Sequence, residues 1–282
     1  MRRQDVTDFF AEFLRRSPEF RGKGRLIAMW QQRQRPGAQA RSTRWGFSMT
    51  LDTSIPYEAM AWLDREERAE LDHLARMLSP GDTFVDVGAN LGLWTLRAAQ
   101  LVGPAGRVWA VEPNPAVFDR LAAHIAANHL DQVVVPLALA AGPERSEGVL
   151  EASATHNVAT VRSTGLDRAG GAVVEIHRLD DLIEQPNQIT GVKLDVEGGE
   201  LGALQGSARL LRRWRPWICV EFNTTLTTSS RLGEWPVHQF LVDQGYEESP
   251  CIFGDPSSSP IDSDWTPRGY HNLQYLPRTR SQ

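Results

Sequence analysis

Three observations predict an α/β fold: a doubly wound, mostly parallel sheet with a C-terminal antiparallel hairpin and an N-terminal helical extension. Short apolar runs alternate with amphipathic helical stretches from residue 83 to residue 223, the pattern of a parallel sheet covered by helices on both faces. A glycine-containing turn, "DVGANLG" at 86–92, joins the first of these strands to its helix, where ligand-binding crossovers lie. The last two strand-like runs follow each other without a helix, which reads as a hairpin.

In chain order, Val6, Phe9, Phe10, Phe13 and Leu14 stand at helical spacing and predict an amphipathic helix over 5–16. The basic, Gly/Pro-punctuated stretch 22–45 reads first as a solvated linker. Its sharper reading is an arm that covers a site or meets a partner, a second copy included. Residues 58–78 resume a helix that Ser79-Pro80-Gly81-Asp82 ends. Strands then follow at 83–88, 107–113 and 132–140, with helices at 93–102 and 116–130 between them. A short helix at 178–184 precedes a strand at 191–198, a helix at 200–214 and a strand at 216–223. After a helix at 235–245, strands at 246–253 and 270–277 flank the Ser/Pro-rich loop 254–265.

A chain of 282 residues, 41% hydrophobic and 23% charged, is long enough for one large α/β domain with appendages or for two small domains. The pattern favours the first: an extension over 1–46 and a domain over 47–282. A net charge of −5 argues against a partner bound through its phosphate backbone. The two cysteines, Cys219 and Cys251, have no metal-ligand or CxxC spacing. No apolar run has signal-peptide or membrane-spanning length. The expectation is a cytoplasmic protein with neither nucleic acid nor membrane as partner.

Gly88 and Gly92 let backbone approach a ligand at the first turn and let the helix pack closely on the sheet. Asp86 makes the turn specific. A carboxylate two residues before Gly88 repels a pyrophosphate, and the spacing is GxxxG rather than GxGxxG. An adenosine ligand with a positive group and no phosphate, such as S-adenosylmethionine, suits it better. On this reading Asp86 sets the field near the amino-acid moiety, and Gly88, Ala89 and Asn90 offer backbone or amide contacts. Glu112, ending the second strand, accepts from the ribose diol; Asn114 helps at the ribose or adenine side, or else caps the helix after it.

"VKLDVEGGELGAL", residues 192–204, puts Lys193, Asp195 and Glu197 at alternate strand positions. Alternate positions share one face, so these charges form either a structural ion cluster or a site, and on pattern alone the two readings weigh about equally.

"DVGANLGLWTLRAAQ", "RLDDLI", "GVKLDVEGGELGALQGSARLL" and "PWICVEFN" together resemble the FkbM family of S-adenosylmethionine-dependent methyltransferases, over about Phe47 to Pro277. The resemblance implies a class I methyltransferase (Rossmann-like) sheet and O-methylation of a sugar, glycan or secondary metabolite. It carries the cofactor turn onto Asp86 to Gly92, the ribose acid onto Glu112 and the K-x-D-x-E-G signature onto Lys193, Asp195, Glu197 and Gly198. Gly199 stands where the family often has alanine, and residues 1–46 match nothing in it.

A hydroxyl acceptor needs alignment and a group to take its proton, or a cation that lowers its pKa. Asp195, Glu197 and Glu221 sit at adjacent strand ends and are the expected catalytic acids; Asp195 and Glu221 also offer oxygen ligands to a divalent cation such as Mg. His156 on the connection between the third and fourth strands is the histidine ranked first as base, ahead of His271. Asn157 and Asn223 are candidate hydroxyl partners. His124 and His129 read as surface or capping groups, and Trp45, Trp62, Trp94 and Trp109 as core. The alternatives are an amine or carboxylate acceptor, or a non-catalytic binding protein of the same fold.

Overall fold

The computed structural model describes residues 3–152, 159–163, 171–183 and 188–278. The chain opens with α1 (Arg3–Arg16), α2 (Lys23–Gln31), β1 (Gln39–Ser42), β2 (Ser48–Leu51), α3 (Pro56–Trp62) and α4 (Arg68–Met77). There follow β3 (Thr83–Val87), α5 (Leu93–Val102), β4 (Arg107–Val111), α6 (Pro115–Ala127) and β5 (Val134–Leu137). An insert holds β6 (Ala140–Ala141), β7 (Ser146–Ala152), β8 (Ala159–Ser163) and β9 (Ala172–His177), and ends at α7 (Leu179–Leu182). The chain closes with β10 (Ile189–Leu194), α8 (Glu200–Gln205), α9 (Ala208–Trp214), β11 (Trp217–Asn223), α10 (Pro236–Asp243), β12 (Cys251–Ile252) and β13 (Tyr270–Tyr275).

The central sheet runs β12-β13-β11-β10-β3-β4-β5. The strands from β11 to β5 are parallel, and β13 is antiparallel to both its neighbours. Strand order reverses between β10 and β3, which places a crevice at their carboxyl ends. The class I methyltransferase expectation of a doubly wound sheet with a closing hairpin therefore describes the molecule.

Every residue of β3 is buried, because helices cover both faces. Phe84 points with Trp94, Val108 and Trp217 into one apolar layer, and Val85 and Val87 with Val192, Leu194 and Val220 into the other. Fully burying such side chains contributes about 1.5–3 kcal/mol each. Asp86 and Lys193 follow the alternation onto the first face. Charge is thus built into one layer of the core.

Three expectations change. Residues 22–45 are not a linker: α2 and β1 form within them, and Ile27 and Trp30 join the layer of Phe84 and Trp94, an apolar stripe that outweighs the local charge and glycine. The helix expected over 58–78 is two helices, with Asp64 at φ 54 and Glu67 at φ 48 in the break. Asp64 is held there by Arg15 Nε at 2.6 Å and by the Arg44 backbone N–H at 3.1 Å, partners no local pattern reveals. The helix expected over 200–214 breaks at Gly206, where a Cβ would lie 1.9 Å from the Gly142 carbonyl.

The connection between β5 and β10 also differs from a simple loop. It folds as a second sheet of order β6-β9-β7-β8. Asp180 in "RLDD" then caps α9, accepting from the backbone N–H groups of Arg209 at 2.9 Å and Leu210 at 2.8 Å.

Candidate active site

The carboxyl ends of β3, β4 and β10 open into a cavity of about 490 Å³ whose polar wall includes Asn90, Glu112, Asn114, Asp195 and Glu197. Val87, Val111, Val117, Val161, Ile176 and Val196 supply its apolar wall. Val161 and Ile176 come from β8 and β9, so the second sheet closes one side of the crevice. Such a mix suits a nucleoside, with flat apolar faces and a hydroxylated edge.

Gly88 makes this geometry attainable. Its φ is +83, and a Cβ there would lie 1.8 Å from the Asp195 carbonyl oxygen; only glycine combines that conformation with that approach. The turn is also locked from behind, since Gly88 and Ala89 both donate their N–H groups to the Val111 carbonyl at 2.9 Å. These two amides are therefore spent within the protein rather than offered to a ligand.

Glu112 is 7% exposed and is gripped by the backbone on each oxygen: Asn90 N–H donates at 2.9 Å and Asn114 N–H at 2.8 Å. Each oxygen keeps a lone pair for the cavity. Burial pushes its carboxyl above the usual range, and the two N–H groups oppose that shift. The Asn114 side chain accepts from Ala116 N–H at 3.1 Å and so caps α6, while the residue still lines the cavity.

At the end of β10 a buried ionic ladder forms. Lys193 Nζ lies 3.2 Å from Asp195, 3.9 Å from Asp86 and 5.3 Å from the Trp94 ring centre. Burial alone would lower the Lys193 pKa, but Asp195, Asp86 and Glu67 outweigh it and hold the lysine well above its ordinary value. Asp86 stands behind the turn, fully buried, accepting from Thr95 Oγ1 at 2.6 Å, and is not among the residues lining the cavity. Lys193 is shared between the two carboxylates and lies nearer to Asp195 than to Asp86. The carboxyl groups on the cavity wall are those of Glu112, Glu144, Asp195 and Glu197.

Beyond Asp195 the chain turns through Glu197 at φ 54 and Gly198 at φ 98. Glu200 fixes this turn, accepting from the N–H groups of Val196 at 3.2 Å and Gly198 at 3.0 Å. The strained turn swings Glu197 toward the strand end, so that one carboxylate atom each of Asp195, Glu197 and Glu221 lies within 4.8 Å of the others. Burial first, then the neighbouring carboxylates, pushes Glu197 up to about 7 and Glu221 up to about 8. Glu221 Oε2 has no hydrogen-bond partner. Glu221 also lines a smaller cavity of about 180 Å³, together with Asn223, Thr227 and Trp235.

Several candidates are placed elsewhere or engaged by other partners. Gly92 precedes α5 at φ 92, and it and Ala89 are absent from the cavity wall. His156 and Asn157 lie outside the described residues. His271 packs edge-on against Trp265, ring centres 5.2 Å apart. The Asn223 side chain is engaged by Thr225 in a local turn. His124 is not a surface group: it is buried, its Nε2 accepts from Thr50 N–H at 2.9 Å, and its Nδ1 donates to the Leu91 carbonyl at 2.8 Å.

Sequence reading missed Glu67 and Glu200. Glu67, from the break between α3 and α4, accepts from Trp94 Nε1 at 2.8 Å, and burial pushes it up to about 8 although Lys193 pulls the other way. The acid-rich run "DREERAE" resembles a solvated helix face, so nothing local marks Glu67. For Glu200 a signal existed: an acid two residues after Gly198 can accept the N–H groups of the preceding turn.

A pH dependence follows. A carboxyl whose folded pKa is raised binds a proton that the unfolded chain has already released, so its contribution is complete below about 4.5 and lost as pH rises to about 8. His124 and His238 act in the opposite sense, and only up to about 6.5. In metal-free buffer the unfolding free energy is expected to fall between these limits, by about 1 kcal/mol per pH unit for each such group. Glu67→Gln should flatten the slope in urea titrations; an unchanged slope would remove Glu67 from this account.

Comparison with known proteins identifies the family. The model of the methyltransferase FkbM domain matches residues 86–247. The chain is 30% identical over 164 residues to hexuronic acid methyltransferase AglP of Haloferax volcanii, covering 54% of this chain and 62% of that protein's length. It is 32% identical over 203 residues to methyltransferase sdnD of Sordaria araneosa, covering 60% of this chain and 75% of the relative. A crystal structure of methyltransferase FkbM from Methylobacillus flagellatus aligns with 14% identity and a TM-score of 0.46 over 76% of this chain and 52% of that one. The matched segment begins at Asp86 in β3 and runs past β11, so it contains the cavity floor, Glu112 and the three clustered acids; the chain belongs to the methyltransferase FkbM domain family.

Proposed function

We propose that this chain transfers a methyl group from S-adenosylmethionine to a hydroxyl of a neutral sugar, glycan or hydroxylated metabolite. The observation that carries the reading is the acid cluster between two cavities that share Gly198 on their walls. Glu197 lines the larger and Glu221 the smaller, and with Asp195 they bring three carboxylate atoms within 4.8 Å of one another. Acids of the smaller cavity thus stand beside the crevice that Glu112 lines.

S-adenosylmethionine, when bound, supplies a methyl carbon activated by a sulfonium. The chain's residues do the rest. Glu112 takes the diol on its remaining lone pairs, and the apolar wall of Val111, Val117 and Ile176 excludes water from the adenosine. Asp195 and Glu197 favour a cationic group at the end of β10. Glu221, on the wall of the smaller cavity, takes the proton of an acceptor hydroxyl once its own carboxyl, pushed up to about 8, is ionised.

The cluster also suits a second form of this reading, in which Asp195, Glu197 and Glu221 hold a divalent cation through oxygen and the cation lowers the pKa of the acceptor hydroxyl. The name of the archaeal relative gives a sugar acid as what that protein methylates. In the metal-free form the clustered acids disfavour an anionic acceptor, so there neutral sugars should outpace the matching uronates.

The test is turnover with labelled S-adenosylmethionine on a panel of sugars, uronates, amines and hydroxylated metabolites. Glu221→Gln should lower turnover by about 100-fold or more while S-adenosylhomocysteine affinity stays within about 3-fold. Loss of turnover on chelation, restored by Mg, selects the cation form; unchanged turnover selects direct proton transfer. Absence of S-adenosylhomocysteine binding in calorimetry, or full activity of Glu221→Gln, would end the reading.

A further inference from the structure

We infer that the N-terminal segment is a docking surface for an anionic lipid bilayer. Two independent observations meet there. The first is charge: residues 1–46 carry 11 Lys/Arg against 4 Asp/Glu, whereas residues 47–282 carry 19 against 31. A chain of net −5 is therefore an extension of +7 on a body of −12; Arg15 and Arg44 pair with Asp64 and Asp72 of the body, while Arg21, Arg25, Arg33 and Arg35 stay exposed.

The second is exposed apolar area. Among the described residues nine large hydrophobic side chains are exposed, and five of them, Phe9, Phe10, Phe13, Phe20 and Met29, fall between residues 9 and 29. Phe9 is 74% and Phe13 59% exposed. They stand at i and i+4 on α1, and Arg16 at i+7 continues the same stripe. Arg21, Arg25, Arg33 and Arg35 are exposed along the following turn, helix and loop. Monomeric proteins seldom leave such aromatic groups in water without a partner.

The chemistry selects the occupant. Phenylalanines beside arginines on a convex helix are the composition of interfacial helices that lie in the headgroup region, apolar side inward and cations toward anionic lipid. No helix among the described residues is long and apolar enough to cross a membrane, so the contact is peripheral. The expectation of no membrane partner rested on run length, and that criterion does not detect this mode. The segment is also tied to the site: Arg15 pairs with Asp64 at 2.6 Å and Glu19 with Arg65 at 2.7 Å, on the break that carries Glu67. Docking would hold the acid cluster at a fixed height above the bilayer.

The test is sedimentation of the full chain with phosphatidylcholine vesicles and with vesicles containing phosphatidylglycerol, at low and high salt. Binding to the anionic vesicles is expected at least about 10-fold above the neutral ones, and high salt should reduce it. Phe9→Ser/Phe13→Ser and Arg21→Glu/Arg25→Glu should each lose about 10-fold, with circular dichroism and S-adenosylhomocysteine affinity unchanged. Equal binding to both vesicle types, or wild-type binding by both variants, would overturn the inference. So would a dimer in solution that Phe9→Ser/Phe13→Ser dissolves without vesicle binding, or single-stranded RNA binding that anionic vesicles do not compete away.

Discussion

Gly88→Ala is expected to weaken S-adenosylhomocysteine binding by about 10-fold or more, each such step being about 1.4 kcal/mol. The added methyl group would lie 1.8 Å from the Asp195 carbonyl oxygen and 2.8 Å from its carbon, both backbone atoms that no rotamer change can move. Relief requires β3 and β10 to part at the crevice, and that carries Asp195 away from Glu112. A left-handed φ of +83 adds about 1 kcal/mol of strain for any residue with a Cβ. Calorimetry with S-adenosylhomocysteine reads the first effect and thermal unfolding the second. Binding within about 3-fold of wild type would show that the crevice does not depend on this contact.

Lys193→Met should be the most destabilising single change in the site, by about 3–5 kcal/mol. The lysine is the buried cation among Asp86, Asp195 and Glu67, and its removal leaves carboxyl groups facing one another in an apolar layer. Methionine keeps most of the volume and the contact with Trp94, so the loss measures charge rather than a cavity. Because each abandoned carboxyl can be neutralised by a proton, the variant should regain part of its stability as pH falls toward 5, while wild type has less to gain. Urea unfolding at pH 5 and pH 8 tests both statements; a loss under about 1 kcal/mol at pH 8 would show that Lys193 is not what balances these acids.

These two residues show how far a sequence reaches. Gly88 was legible because a glycine in a strand-to-helix turn is a local signal, and β3 and α5 flank it where alternating apolar residues place them. Asp195, Glu197 and Glu221 were legible as strand-end acids, since chain order alone makes their strands adjacent in a doubly wound sheet. The second sheet was not, since β7 to β9 carry mixed polar sequence that reads as connection until pairing gives it shape. Nor was the break at Asp64 to Glu67, which Arg15 and Arg44 stabilise from the N-terminal extension.

The sequence by itself determined the order of strands and helices, the crevice at the β3 and β10 ends, the family and the acids that stand there. Only the tertiary structure decided how charge is shared among them: Lys193 is shared by Asp195 and Asp86, Glu67 arrives from a broken helix, and Glu197 turns back to meet Glu221. The physical reason is range. Periodicity and turn chemistry act over a few residues and can be read in line, whereas desolvation and Coulomb energy depend on neighbours that folding brings from distant parts of the chain.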